Sequence, residues 1–565
     1  MSLTVENPIL NSPFREPERY WLYDAAGMPR IENGRRPAGY YFRARARPGE
    51  RQLSFLSDEQ FEELGVVNQI RQQVKTWREA GYPGATPITR QLLAHWTQPG
   101  RERKLFFCQV EAAETVIWLV EVRGDRKLGI DIPLDAPLDG ESRPLTRYAV
   151  KMATGSGKTV VMAMLMAWSV INKAHNSQDR RFSDSVLIVT PNLTVKERLG
   201  GGAREAWSGA REAWSVEREG GQDDQGDGLD DADEERDEDA AHVAAPLTLE
   251  PERPLLPGGR GNYFEKFDLA PANLLPFLGH GRVLITNWHT LAVRDDSGKR
   301  QVMQRGQESP VAFANRVLRD LGSKKNLLVI NDEAHHAYRP AAYEDDRRPE
   351  GMSAEEWSEV KAAKEEATVW VSGLDRIHTA RRINFVVDLS ATPFYIQGSG
   401  YPEGSPLSWI VSDFGLVDAI ECGIVKIPRV PVADDTGQPI PKYFRLWQAI
   451  NEALPARDRA TARRRPKPEA VVREAEGALQ ALAGEWQATL SRWQQDGYPV
   501  PPALIAVCDN TDIAEYLYEK IAVEGAVFPE LLKNEPGVER TIRIDSRLLA
   551  SAEAGAEGGS KAELA

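Results

Sequence analysis

The chain has 565 residues, 41% of them hydrophobic, enough for cores in three or four units at roughly 150 residues each. Its net charge of −14 is concentrated in residues 216–239, which carry 13 acids and 2 bases, a net of −11; the remainder, near −3, stays compatible with a local nucleic-acid channel. Three dispersed cysteines (Cys108, Cys422, Cys508), no charged-then-apolar leader at the start and no apolar run longer than about Val160–Ile171 argue against a disulfide scaffold, a cysteine-bound zinc and a membrane span, so a cytoplasmic protein is expected.

Residues 1–104 form a basic and aromatic region with helical patches. Six arginines between Arg35 and Arg51 alternate with Tyr40, Tyr41 and Phe42, a pattern that suits either a nucleic-acid contact or a solvated basic edge. Residues 105–425 alternate apolar runs with helical patterns, and the strands expected there are Tyr148–Lys151, Val186–Thr190, Val283–Thr286, Leu327–Asn331 and Phe385–Ser390. Alternation of this kind predicts an α/β fold, a parallel sheet with flanking helices and a ligand site at the carboxyl ends of the strands. The stretch 200–261 breaks the pattern with a doubled GAREAWS (202–208, 209–215) and the acidic run, and reads as a mobile surface insertion. A helical pattern over Ser353–Arg382 leads into the Phe385 strand. Residues 426–500 read as a linker and a long helix. From 501, PPALIAVCDNTDIAEYLYEKIA reads as strand, turn and helix, the start of a further α/β unit, incomplete over 501–565.

Three strand ends carry chemistry. In "KMATGSGKT" (151–159) the strand meets a glycine-rich turn and then a helix. Thr154, Gly155, Ser156 and Gly157 can wrap backbone N–H groups around a phosphate, Lys158 can reach the β/γ-phosphates of ATP, and Thr159 can ligate Mg²⁺. Met152 stands where this P-loop pattern has its first glycine; it removes no donor, so binding is expected to survive. "LLVINDEAHHAYRP" (327–340) ends an apolar strand in two carboxylates. Asp332 would hold Mg²⁺ and Glu333 would orient or deprotonate the attacking water. His335 is counted with the nucleotide site; with His336 it lacks the spacing of a metal pair. "VVDLSATPF" (386–394) places the Ser390 and Thr392 hydroxyls where they can bond the DEAH residues and relay the state of the γ-phosphate.

MATGSGKT, DEAH and SATPF, in this order, resemble motifs I, II and III of the superfamily 2 DEAD/DEAH-box helicases. "VLIVTPNLTVKERL" (186–199) resembles motif Ia, "VLITNWHTL" (283–291) motif Ib, and "LFFCQVEAAETVIWL" (105–119) the adenine-reading glutamine region, with Gln109 as the candidate. NPILNSPF near the start, TPNLTVKERL and DFGLVDAIECGIVKIPRV (413–430) are similar to the Res subunit of type III restriction systems and its restriction-endonuclease-like relatives. The resemblance implies RecA-like motor domains with ATP between them and DNA across the top. By motif position, Pro191, Asn192, Thr194, Thr286 and Asn287 would meet the phosphate backbone. It also implies a DNA methyltransferase (modification) partner that supplies sequence choice.

Two departures stand out. No segment resembles the Q-x-x-G-R-x-x-R motif that carries arginine fingers, and neither Glu102-Arg103-Lys104 nor Asp125-Arg126-Lys127 has the paired aspartate of a nuclease site. The expectation is a complete first motor domain and a C-terminally truncated second one. The function expected is an ATP-dependent DNA helicase or translocase subunit of a restriction system. The alternatives are a nucleotide-regulated module that binds DNA or a methyltransferase without efficient hydrolysis, and an RNA helicase.

Overall fold

The computed structural model describes residues 7–23, 28–43, 59–122, 124, 127, 129–137, 143–191, 199, 255–258, 261–293, 308–341, 348, 354–396, 399–426, 446–455, 457–459, 465–498 and 501–545. They fall into two compact units. The first comprises residues 1–202, 250–348 and 355–427; the second is chiefly 428–565. The acidic run, the GAREAWS repeat, Asn192 and Thr194 lie outside the described residues.

The first unit is built on six parallel strands: β5 (Arg147–Met152), β6 (Ser185–Thr190), β7 (Arg282–Asn287), β8 (Leu327–Asp332), β9 (Ile383–Ser390) and β10 (Ile410–Phe414), in the order β10-β5-β9-β8-β6-β7. Every residue of β6 and β8 is buried. Their unbroken apolar runs fit a parallel sheet covered on both faces. The five expected strands all appear, each extended by one or two residues. β10 is an addition, since its five residues carry too short a pattern to stand out.

Helix α3 (Phe107–Glu121) and helix α4 (Lys158–His175) are buried nearly all round, in contrast to the one-sided stripe of a surface helix. In α4 each residue from Val160 to Asn172 is buried, and full burial of a large apolar side chain stabilises by about 1.5–3 kcal/mol. Pro310–Val317 forms α5. The opposite face of the sheet carries α6 (Ala354–Arg381), whose Trp370, Leu374 and Ile377 are fully buried against the β6, β8 and β9 residues Leu187, Val329 and Val386.

The N-terminal residues are bolted to the β10 edge. Hairpin β1–β2 (Arg19–Tyr23, Pro29–Asn33) and pair β3–β4 (Gly39–Arg43, Glu59–Glu63) precede α1 (Gly65–Glu79) and α2 (Pro87–Trp96). Leu10 and Asn11 donate backbone N–H bonds to the Glu421 carbonyl at 2.8 and 3.0 Å, at the end of helix α7 (Leu416–Glu421). Arg35 forks onto buried Glu111, and Arg36 reaches Glu421 at 2.5 Å and Asp418 at 3.5 Å. The first two arginines of the basic stretch are thus internal ion pairs, while Arg45, Arg47 and Arg51 lie outside the described residues. Burial would raise the Glu111 carboxyl, but Arg35, then Arg71 and Arg78, hold it down at about 2.

The second unit, among its described residues, is helical: α8 (Leu446–Ala453), α9 (Pro468–Gln495) and α10 (Thr511–Tyr518). The strand expected at its start does not form. Residues 501–508 carry no regular structure, and Ile505 and Val507 are 79% and 93% exposed. An apolar run becomes a strand only where neighbours take its backbone N–H and C=O groups, and no paired strand stands beside this one among the described residues.

Candidate nucleotide site

β5 delivers the glycine-rich turn. Met152, its last residue, is fully buried, and the following N–H, that of Ala153, bonds the Phe414 carbonyl at 2.9 Å. The side chain at the missing-glycine position therefore lies in the core and not in the phosphate cradle. Gly155 and Gly157 have φ of +85° and +90°, a region L side chains enter only at a cost. A Cβ on Gly155 would stand 3.1 Å from Val425, and one on Gly157 would overlap the Gln109 amide nitrogen. α4 begins at Lys158; Val160 and Val161 donate their N–H groups to the Gly157 carbonyl at 2.9 and 3.3 Å, which leaves those of Lys158 and Thr159 without a partner within the helix, and together with the helix dipole this suits an anion.

Gln109 is 4% exposed and both ends of its amide are engaged: Oε1 accepts the Phe106 N–H at 2.9 Å and Nε2 donates to the Ser156 carbonyl at 3.0 Å. In this state it ties the start of α3 to the glycine-rich turn.

β8 delivers the acidic turn. Asp332 is 2% exposed, and its Oδ1 accepts the Glu333 N–H at 3.1 Å. Glu333 adopts φ +48°, ψ +48°, the left-handed region, without being glycine. Its Oε1 lies 2.8 Å from Lys158 Nζ. This ion pair brings the P-loop lysine and the DEAH carboxylate into one site. β9 completes it. The Ser390 hydroxyl is fully buried, stands 2.9 Å from His335 Nδ1 and accepts the Thr392 N–H at 3.0 Å, while Thr392 itself is exposed. Burial, with His336 and Lys158 adding to it and Glu333 opposing, lowers the His335 imidazole to about 4, so the ring is neutral at neutral pH.

Asp332 and the Thr159 hydroxyl are hard oxygen donors. No group of three or more His, Cys, Asp or Glu forms a metal cage among the described residues. An ion here would lean on phosphate oxygens and water for its remaining ligands, which is how Mg²⁺ is usually held; the residues fit that ion.

At the far end of the sheet, Pro191 leaves β6 beside Asn287, since Thr190 and Asn287 are in register. The Thr286 and Asn287 side chains are 4% and 6% exposed, and Asn287 Oδ1 accepts the Thr290 hydroxyl at 2.9 Å, so neither is presented to solvent. Sequence reasoning missed the buried polar residues behind the acidic turn: Arg147 and Asn331 each donate to Asp388 inside the sheet. Their signal was a charge or amide inside an otherwise apolar strand.

No helix among the described residues is long and apolar enough to cross a membrane. Neither the curated proteins nor the solved structures give a match. A family model described as "Type III restriction enzyme, res subunit" matches residues 102–395, just over half of the chain and inclusive of all three strand-end motifs. The chain therefore belongs to the type III restriction enzyme res subunit family.

Proposed function

We propose that the chain is an ATP-dependent DNA helicase or translocase subunit of a restriction system, with residues 105–425 as its first motor domain. The observation that carries the reading is the 2.8 Å contact between Lys158 and Glu333. It joins the two residues that phosphate binding and water activation require.

When nucleotide enters, Lys158 leaves Glu333 for the β/γ-phosphates, and the amides of Gly155–Thr159 turn onto the same oxygens. Glu333, freed from the lysine, accepts a hydrogen bond from the attacking water and takes its proton. Neutral His335 links the acidic turn to Ser390 and so to Thr392, whose exposed hydroxyl can report the γ-phosphate outward. Asp332 and Thr159 would hold a Mg²⁺ ion, which would supply charge neutralisation for the phosphoryl group. Duplex DNA is the track proposed, with Pro191, Asn192, Thr194, Thr286 and Asn287 as backbone contacts. Their side chains, where buried, must turn outward or leave the contact to the main chain. A methyltransferase subunit is the partner proposed from the family.

The test is ATP hydrolysis by this chain alone and with duplex DNA, single-stranded DNA or RNA, with Lys158→Ala as control. DNA-stimulated turnover that the control abolishes supports the motor. Saturable ATP binding with no turnover on any nucleic acid overturns it in favour of a nucleotide-regulated binding module. Stimulation by RNA alone makes the chain an RNA helicase.

A further inference from the structure

We propose that the buried Arg147–Asp388 pair is a positioning device that clamps the DEAH turn at both ends and thereby holds the Glu333 carboxylate in place. The proposal rests on the hydrolytic reading of that site.

The turn 332–336 is bounded by Asn331 and Ala337. Asn331 Nδ2 donates to Asp388 Oδ1 at 2.7 Å, and the Ala337 carbonyl accepts from Arg147 Nη2 at 2.6 Å. Arg147 Nε closes the ring onto Asp388 Oδ2 at 2.8 Å. One ion pair, with both partners fully buried side chains, thus grips the residue before the turn and the residue after it. The remaining groups are satisfied: Trp409 donates to Asp388 at 2.8 Å, Trp370 to Asn331 at 3.1 Å, and Arg147 Nη1 to Asp135 at 2.9 Å.

Stability does not explain two full charges here. Buried ion pairs can often be replaced by apolar residues of similar volume without loss. Strain does explain them. Glu333 sits at φ +48°, which costs a non-glycine residue about 1–2 kcal/mol. Such a conformation persists only where its surroundings over-determine it. A hydrogen bond at one end would let the turn pivot; bonds at both ends, made to one rigid pair, leave it a single backbone course. Asp388 also lies two residues before Ser390, so the strand that anchors the clamp carries the hydroxyl that meets His335.

The test uses Arg147→Lys, which keeps the charge and loses the fork, and Asp388→Asn, which keeps the shape should the first variant fail to fold. Amide hydrogen exchange is measured over 327–338 and over β6, with steady-state ATPase kinetics in parallel. The clamp predicts exchange at 332–337 faster by at least about tenfold with β6 unchanged. It predicts turnover lower by about 10–100-fold with ATP KM within about threefold. In a Glu333→Gln background Arg147→Lys should change turnover no further, because its effect passes through that carboxylate. Faster exchange throughout the sheet, unchanged turnover per folded molecule, or an undiminished Arg147→Lys effect in the Glu333→Gln background each overturns the proposal. If the wild-type chain binds ATP without hydrolysing it, the hydrolytic reading falls, and local against sheet-wide exchange still decides the clamp.

Discussion

The glycine-rich turn after β5 and the acidic turn after β8 both use left-handed backbone, and they accommodate it in opposite ways. The first places glycine at 155 and 157, where the conformation costs little. The second places Glu333 there, a non-glycine residue, and the polar network we propose as its clamp bonds the residues on either side, Asn331 and Ala337. Geometry in the first turn is local chemistry; in the second it is imposed from the core. Two turns of similar shape should therefore fail in different ways.

The largest difference is expected at Gly157. Gly157→Ala forces a Cβ against Gln109 and a side chain into φ +90°, and should weaken ATP binding by about 100-fold, the scale of a 1 Å misplacement. Nucleotide titration would show it, and an affinity within a few-fold of wild type would mean that the turn relaxes freely. Glu333→Gly is the opposite case. It should abolish turnover yet raise stability by about 1 kcal/mol, since it removes the left-handed strain along with the carboxylate. Urea unfolding together with ATPase rates checks both halves, and a destabilised variant would show that the strain is not stored there. Gly155→Ala is milder, with its Cβ 3.1 Å from Val425, and about a tenfold loss of affinity is expected.

The smallest effect is on pH dependence. His335 is held at about 4 against an ordinary 6.5. Between those values the unfolded chain binds a proton that the folded chain refuses. The stability involved is whole above 6.5 and lost as pH falls toward 4, on the order of 1–3 kcal/mol. His335→Gln should flatten that slope in unfolding curves taken at about pH 7 and pH 5; an unchanged slope would place the titrating group elsewhere.

Legibility followed the same divide. The glycine-rich turn could be read because Gly155, Gly157, Lys158 and Thr159 fall within five consecutive residues and the role expected of each rests on local backbone or reach. The tolerance of Met152 could be argued from sequence, though its burial under the turn could not be seen there. Gln109 was placed beside the nucleotide by resemblance; that its amide is engaged by Ser156 and Phe106 required coordinates. The basic stretch misled in part, because Arg35 and Arg36 look the same in sequence whether they face phosphate or Glu111 and Glu421. The segment 503–508 misled fully as a strand. Its composition matches that of β8, but β8 has β6 and β9 at its sides and 503–508 has no paired strand beside it among the described residues.

By itself the sequence determined the parallel α/β class and the ends of three strands as the positions where polar and glycine residues gather, the positions proposed here as reactive. Those features arise from periodicity and short-range spacing, which depend on neighbours within a few positions. The tertiary structure alone decided that Lys158 meets Glu333 across 175 residues of chain, that Arg147 and Asp388 meet across 241, and that Glu333 is held in a strained conformation. Such contacts depend on strand order, and strand order is settled by which buried surfaces fit together, a property no local stretch of sequence carries.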